Sequence, residues 1–274
     1  MWVTGAGGLI GHQLGRTFVP GAIGRVVGRA RSDLDLTSAR EVCERFLADR
    51  PVAVIHAAAM SKSPACQANP TGARRANVEV TRLLVDLAAE VPFVFYSTDL
   101  VFDGLQGGYD EDDAVNPRSI YAETKVEAEA FVRLHPKGLV IRTSLNHGIS
   151  PTGDRAFNEE MTLAWRAGRT LSLFEDEFRS PIPAEATARA TWDLLAIGAT
   201  GVLHVAGSER LSRLQIGRLL ATRADGYEPR IEANSLKSYT GAPRSPDTSL
   251  NSSAAERLLG RRMPAFSEWI AAGR

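Results

Sequence analysis

Through the first two thirds of the chain, short uninterrupted apolar runs alternate with stretches of helical spacing. The runs are MWVT (1–4), GRVVGR (24–29), VAVIHAAA (52–59), PFVFYSTD (92–99) and GLVIRTS (138–144). Between them lie LIGHQLGRTFV (9–19), TSAREVCERFLADR (37–50), ARRANVEVTRLLVDLAAE (73–90) and SIYAETKVEAEAFVRLH (119–135). A strand that is apolar throughout, rather than alternating, is buried on both faces. Strands separated by helices pair in parallel, so the pattern predicts a parallel sheet with helices on both sides. Right-handed crossovers then make it a doubly wound α/β fold of the Rossmann type. Thr37 or Ser38 suits the N-cap of the second helix.

After about Asn146 the texture changes. NHGISPTGD (146–154) is rich in turn formers, and NEEMTLAWRAG (158–168) and AEATARATWDLLAIG (184–198) have helical spacing. TLSLFEDEFRSPIP (170–183) reads as strand and loop, GVLHVAG (201–207) as a strand, and GAPRSPDTSLNSSAAERLLG (241–260) as a loop with a short helix. A chain of 274 residues has room for two lobes. The expectation is a dinucleotide-binding domain over 1–145, with a returning segment near 180–198, and a smaller substrate-binding lobe built mainly from 146–274.

Composition narrows the partners. Lys+Arg and Asp+Glu are both 32, so the formal net charge is zero. That argues against nucleic acid or an anionic membrane as the partner and for a small-molecule substrate. The two cysteines, Cys43 and Cys66, form neither a metal-ligand set nor a disulfide framework, which fits a reduced, cytoplasmic setting. No apolar run approaches ~18 residues and no leader pattern precedes Gly5, so a soluble, unprocessed protein is expected. A homodimer is left open.

Gly5, Gly8 and Gly11 follow the first strand directly and open the first helix. A strand, a glycine turn and a helix N-terminus together make an anion site. The first glycine permits the turn, the second lets backbone approach a pyrophosphate, and the third lets helix and strand pack closely. The helix beginning at Leu9 and Ile10 adds its N–H groups and the positive end of its dipole. The spacing is G-x-x-G-x-x-G rather than G-x-G-x-x-G. At the end of the second strand, where an acidic residue holds the ribose 2′-hydroxyl in NAD binders, the chain has Arg29 and then Arg31. Guanidinium groups suit a 2′-phosphate, so NADPH is expected over NADH. Two solvated arginines are the alternative. Asp35 and Leu36 fall where the adenine is within reach.

Tyr121 and Lys125 stand four apart on a helical pattern, hence on one face. An ammonium beside a phenol stabilises phenolate and lowers its pKa, so the tyrosine becomes a proton donor near neutral pH. Ser97, Thr98 and Asp99 end a strand, and hydroxyls at the carboxyl end of a parallel strand face the ligand crevice. Thr98 is the candidate donor to a substrate carbonyl; a turn-forming hydroxyl is the alternative. His56 reads as a packed histidine, YDEDD (109–113) as a solvated loop and not a metal site, and Trp165, Trp192 and Trp269 as core or interface. Arg179 and Arg244 lie in loops of the second lobe, as surface charges or as clamps for a nucleotide diphosphate.

Together these segments resemble the extended short-chain dehydrogenase/reductase family, and within it the dTDP-4-dehydrorhamnose reductase group. The markers run along nearly the whole chain: VTGAGGLIG, SDLDLTS, VIHAAAMS, ANVEVTRLL, FYSTDLVFDG, YDEDDAVNP, YAETKVEAE, LVIRTS, GVLHVAG and APRSPDTSLNSS. The resemblance implies an NADPH-dependent ketoreductase acting on a nucleotide sugar. Tyr121 would protonate the ketone oxygen, Lys125 would bind the nicotinamide ribose, and Thr98 would orient the carbonyl. Ala57, Ala58 and Ala59 would line the cofactor channel with Ser97, and Asn77 would lie near the adenine-side loop. Asp99, Leu100, Val101, Phe102 and Leu145 would face the substrate.

The chain departs from the group at two of those positions. The strand-end motif usually reads S-T-D-Y, and here Leu100 replaces the tyrosine; a tryptophan usually follows RTS, and here Leu145 does. Both changes weaken the match to the rhamnose precursor. Leu100 also stands where a dehydratase would carry glutamate, which disfavours dehydration. A sugar-nucleotide epimerase stays open, as does a non-catalytic dinucleotide-binding subunit resembling the regulatory β subunit of methionine adenosyltransferase.

Overall fold

The computed structural model describes residues 1–19, 25–241 and 243–273. In chain order the elements begin with β1 (Trp2–Thr4), α1 (Leu9–Thr17), β2 (Val27–Arg29), α2 (Ala39–Asp49), β3 (Val54–His56), α3 (Ser63–Ala68) and α4 (Pro70–Arg74). A π-turn at Arg75–Glu79 leads into α5 (Val80–Leu87), β4 (Phe93–Thr98), a 3₁₀ turn at Asp99–Val101, α6 (Ile120–Leu134) and β5 (Gly138–Thr143). Then come β6 (Asn146–His147), α7 (Phe157–Arg166), β7 (Thr170–Phe174), β8 (Phe178–Arg179), β9 (Ile182–Pro183), α8 (Ala184–Ala196) and β10 (Gly201–Val205). The chain closes with β11 (Leu211–Ser212), α9 (Arg213–Ala221), β12 (Arg230–Asn234), α10 (Ser253–Leu259) and α11 (Phe266–Ala271).

Six strands form one sheet in the order β10-β5-β4-β3-β1-β2, and every pairing in it is parallel. The strand order reverses between β1 and β3, which places the ligand crevice of a doubly wound sheet beyond the carboxyl ends of those two strands. β1 is three residues long and wholly buried, with Thr4 level with Arg29 on one side and His56 on the other. VAVIHAAA yields a strand only over Val54–His56. Beyond His56 the neighbour β1 has ended, and the Thr4 hydroxyl accepts the Ala58 N–H at 3.3 Å. Ala57–Ala59 is therefore loop at the crevice. GVLHVAG, assigned by sequence to the second lobe, is the edge strand β10 beside β5. Residue 24 of GRVVGR lies outside the described residues.

Side chains leave β4 alternately to the two faces. Val94 and Tyr96 join Val3, Ile55, Ile141 and Trp192 on the face covered by α1 and α8. Phe93 and Phe95 join Trp2, Val54, Leu84 and Val132 on the face covered by α2, α5 and α6. Burial of both faces explains why the strands read as continuous apolar runs. A smaller core of Met161, Trp165, Leu173, Leu214 and Leu220 holds α7, β7 and α9 together, with β12 parallel to β7. Trp165 and Trp192 are buried, and Trp269 is half-buried against this smaller core. Among the described residues, no helix is long and apolar enough to cross a membrane.

Three buried histidines make the fold acid-sensitive. Burial lowers His56 and His147 to about 3 and His204 to about 4. Each is neutral in the folded chain at a pH where the unfolded chain already binds a proton, so stability is lost as pH falls below about 6.5 toward those values. His147 is the most isolated: neither ring nitrogen has a partner among the described residues. Phe266, Trp269 and Phe157 surround it at 4.9, 4.4 and 6.0 Å. His147→Phe is therefore expected to flatten the fall of Tm between about pH 6.5 and pH 4. An unchanged acid limb in thermal unfolding would show that His147 carries none of it.

Candidate active site

The glycine cluster is a cradle of backbone. Gly5 has φ +71°, and a Cβ there would stand 2.7 Å from the Ala58 nitrogen. A Cβ on Gly11 would overlap the Gly5 carbonyl. Gly8 is the N-cap of α1 and no side chain caps the helix, so the first-turn N–H groups are open to an anion. The loop after β3 closes the other side, where Ala57 and Ala58 approach Gly5. Gly28, which the sequence reading passed over, belongs to the same packing, since a Cβ on it would press against Ala6 at 2.9 Å. A glycine inside a short strand was the available signal.

Arg29 does something other than expected. Its guanidinium pairs with the Asp49 carboxylate and lies 5.1 Å over the Trp2 ring, while Trp2 Nε1 donates to the same carboxylate at 2.9 Å. Arg29 thus braces β2 and β1 to α2 and is not an open anion ligand. Arg31 is exposed two residues on. Asp35 caps the turn before α2 by accepting from Thr37 N–H and Oγ1 at 2.9 and 2.8 Å. Those bonds hold its carboxyl below the usual range. Ser38 occupies the N-cap position of α2 without a side-chain bond. Leu36 packs against the core under α2.

At the carboxyl end of β4, Thr98, Tyr121 and Lys125 come together. Ser119 caps α6, accepting the Ala122 N–H at 3.3 Å, and the helix then presents Tyr121 and Lys125 one turn apart. Thr98 Oγ1 lies against the Tyr121 phenol, donates to Asp99 Oδ1 at 3.2 Å and accepts the Leu100 N–H at 3.2 Å. Lys125 is buried, with Nζ 3.9 Å from the centroid of the Phe95 ring. Burial brings its pKa down to about 7, against the pull of Glu129. The phenol is not lowered as the spacing suggests. Burial and the Asp99 charge raise it, and the Thr98 bond only partly opposes them. Tyr121 consequently holds its proton at neutral pH, the form a proton donor needs.

Asn77 and Ser97 are supports. Asn77 lies in the π-turn and is buried. Its Oδ1 accepts Met60 N–H at 2.8 Å, and its Nδ2 donates to Met60 O and Thr124 Oγ1 at 3.1 and 2.9 Å. With both amide hydrogens donated, it ties the Ala57–Met60 loop to α6 one residue before Lys125 and has no N–H left for a cofactor. A π-turn of this kind often marks a functional site, but helical spacing alone conceals it. The Ser97 hydroxyl donates to Glu129 at 2.5 Å. His56, packed as expected, shares a 2.7 Å hydrogen bond with Thr4 Oγ1 and stacks on Phe95.

Leu100, Ser63, Ser119, Arg179, Tyr239 and Arg244 line a cleft, where three of the residues expected to face the substrate, Leu100, Arg179 and Arg244, come together. Val101 and Phe102, expected there, are fully buried. The 3₁₀ turn tucks Val101 inward, and Phe102 stacks on Tyr109 at 4.1 Å, with the Arg142 guanidinium 5.2 Å from its ring centroid. Tyr109, the first residue of YDEDD, is therefore core and not solvated loop. Asp99 also turns inward: its Oδ2 accepts from Ser144 and Thr248 hydroxyls at 2.7 and 3.0 Å, with Arg179 Nε at 3.6 Å. Leu145 is half-buried just after β5. Arg179 and Arg244 converge on one buried carboxylate, Glu177. Arg179 reaches it at 3.0 Å, and Arg244 grips both oxygens at 2.7 and 2.9 Å. Arg213 adds a third guanidinium, whose buried Nη1 has no hydrogen-bond partner among the described residues. Neither Glu177 nor Arg213 carries a local sequence signal.

The whole chain matches known proteins along its length. Residues 1–272 match the family model described as the RmlD substrate binding domain. A probable low-salt glycan biosynthesis reductase of Haloferax volcanii is 31% identical over 99% of this chain and 96% of its own. The methionine adenosyltransferase 2 subunit beta of Bos taurus is 24% identical over 96% of this chain and 83% of its own. In fold, the dTDP-4-dehydrorhamnose reductase of Bacillus anthracis, solved with NADP, superposes with a TM-score of 0.90 at 24% identity over 99% of this chain and 96% of that one. With its parallel sheet, glycine cradle and Thr98–Tyr121–Lys125 cluster, the chain belongs to the RmlD substrate-binding-domain family of extended short-chain dehydrogenases/reductases.

Proposed function

We propose that this protein reduces a keto group on a nucleotide-activated sugar, with NADPH as the reductant. The observation that carries the reading is a single juxtaposition. Thr98, Tyr121 and buried Lys125 meet at the sheet's carboxyl edge, between a glycine cradle and a cleft edged with guanidinium groups. We take residues 1–145 with α8 and β10 as the cofactor half and the remainder as the substrate half.

The cradle suits a dinucleotide, because Gly5, Gly8 and Gly11 leave room where side chains would stand and α1 opens without a cap. Held by this cradle, NADPH would supply the hydride that reduction of a ketone carbon requires. The Tyr121 hydroxyl donates its proton to the ketone oxygen as negative charge gathers on it, and is left as phenolate. The Lys125 ammonium grips the ribose and offsets that phenolate charge. Thr98 orients the carbonyl, and Ala57–Ala59 keep the channel narrow without obstructing it. Arg244, half-exposed and fixed by Glu177, is the clamp offered to the diphosphate.

The reading is tested with a panel of nucleotide 4-ketosugars differing in ring hydroxyls, followed at the nicotinamide absorbance. Turnover is expected, and the Leu100 and Leu145 walls predict a preference for less hydroxylated rings, because an apolar wall leaves a substrate hydroxyl unpaired. Leu100→Tyr is expected to shift kcat/KM back toward the more hydroxylated members. NADPH binding without turnover of any member would instead place the protein with the regulatory subunits.

The brace on Arg29 moves the 2′-phosphate contact to Arg31. Arg31→Ala is expected to weaken NADPH roughly tenfold while leaving NADH unchanged, as for a charge-assisted contact near solvent. Arg29→Ala should lower Tm and keep the cofactor preference. Fluorescence titration with both cofactors checks this, and loss of preference in the Arg29 variant alone would reverse the assignment.

A further inference from the structure

The face of α6 that carries Lys125 carries Glu129 one turn further on, and each is 2% exposed. Among the described residues Lys125 forms no ion pair, whereas Glu129 is heavily used. Its Oε1 accepts from Ser97 Oγ at 2.5 Å and Arg142 Nε at 3.1 Å, and its Oε2 from Arg142 Nη2 at 2.8 Å. Arg142, on β5, is 1% exposed and lies against Phe102. Two buried cations thus lie about one buried carboxylate: Arg142 pairs with it directly, and Lys125 stands one turn before it on the same face of α6. Of the other titratable groups around them, Asp99 acts on Tyr121 and is raised by burial. His56 on β3 is neutral by burial and the nearby Lys125 charge. Tyr121 holds its proton, and the Cys66 thiol on α3 is raised by burial. His204 on β10, beside Arg142, is neutral for the same reason as His56. Glu111 meets Arg142 through its backbone carbonyl at 3.4 Å.

We propose that Glu129 is a positioning residue that keeps the proton on Lys125, and that Arg142 limits how strongly it does so. A buried cation is retained only where an anion compensates it. Arginine does not give up its proton in a protein, so any shortage of negative charge in this group falls on the lysine. The inference rests on the reading of Lys125 as the ammonium that grips the cofactor ribose. It adds that the grip is set from behind, through a carboxylate that never meets the cofactor. Ser97 acts in the same unit, fixing Glu129 to the residue before Thr98.

The test is NADPH affinity as a function of pH, from quenching of tryptophan fluorescence in the full chain, and it needs no sugar substrate. For the unmodified protein, affinity falls as pH rises through the Lys125 midpoint. Glu129→Gln is expected to move that midpoint down by about one pH unit. Arg142→Met, which leaves Glu129 to Lys125 alone, is expected to move it up. A merely structural role would weaken binding at every pH without moving the midpoint, and unmoved midpoints, or shifts of both variants in one direction, overturn the proposal. If Glu129→Gln does not fold, the sign in Arg142→Met decides: upward supports the proposal, and no shift or a downward shift overturns it. Lys125→Met separates the two levels of inference, because a pH dependence that survives in it refutes the role of Lys125 itself.

Discussion

Tyr121→Phe is expected to lower kcat by ~10²–10⁴ with little change in NADPH affinity. The loss corresponds to about 2.7–5.5 kcal/mol of transition-state stabilisation. The substitution removes one oxygen from a half-buried ring and leaves the ring's packing in place. Thr98 Oγ1 keeps its bond from the Leu100 N–H, so the strand end should not rearrange. Lys125→Met should damage both kcat and cofactor affinity, since the ammonium serves both. Near-normal turnover in Tyr121→Phe would require a different proton donor. The neighbouring Asp99 would be the next group to test, because burial raises its carboxyl and its Oδ1 accepts from Thr98 Oγ1 at 3.2 Å.

Gly11→Ala is expected to weaken NADPH by roughly 5–150-fold, the equivalent of about 1–3 kcal/mol of overpacking. The added Cβ would fall on the Gly5 carbonyl, which is backbone and cannot swing aside as a long side chain can. Either α1 moves away from β1 or the loop between them opens, and in both cases the first-turn N–H groups leave the anion position. Gly15→Ala, with open space around its Cβ, is the control expected to bind normally. Equal affinity in the Gly11 and Gly15 variants would mean that the cradle does not hold the cofactor.

Most of the sheet was legible because both of its faces are buried, so each strand announces itself as an apolar run regardless of register. Lys125 and Tyr121 were legible because helical spacing forces positions four apart onto one face. The errors share a cause: the residue was correctly placed on its element, but its partner came from elsewhere in the chain. Arg29 sits at the strand end, as expected, yet strand alternation and a carboxylate 20 residues away turn it onto Trp2 and Asp49. Phe102 follows the strand end closely, yet the 3₁₀ turn before it drives it into a small core with Val101, Tyr109 and Leu250. Asn77 lies in a helical pattern, and only the π-turn aims its amide at Met60.

By itself the sequence determined the parallel doubly wound sheet, the glycine turn at its first strand, and a tyrosine and lysine on one helix face, because these depend on periodicity and on what glycine permits locally. Tertiary structure alone decided the charge states and the company those residues keep. A buried Lys125 on the face of Phe95, a phenol that holds its proton, a buried Glu129 carboxylate paired with Arg142, and three arginines gathered about Glu177 all arise from chain segments distant in sequence. Desolvation and Coulomb energy depend on distances across the fold, and local residue patterns do not encode those distances.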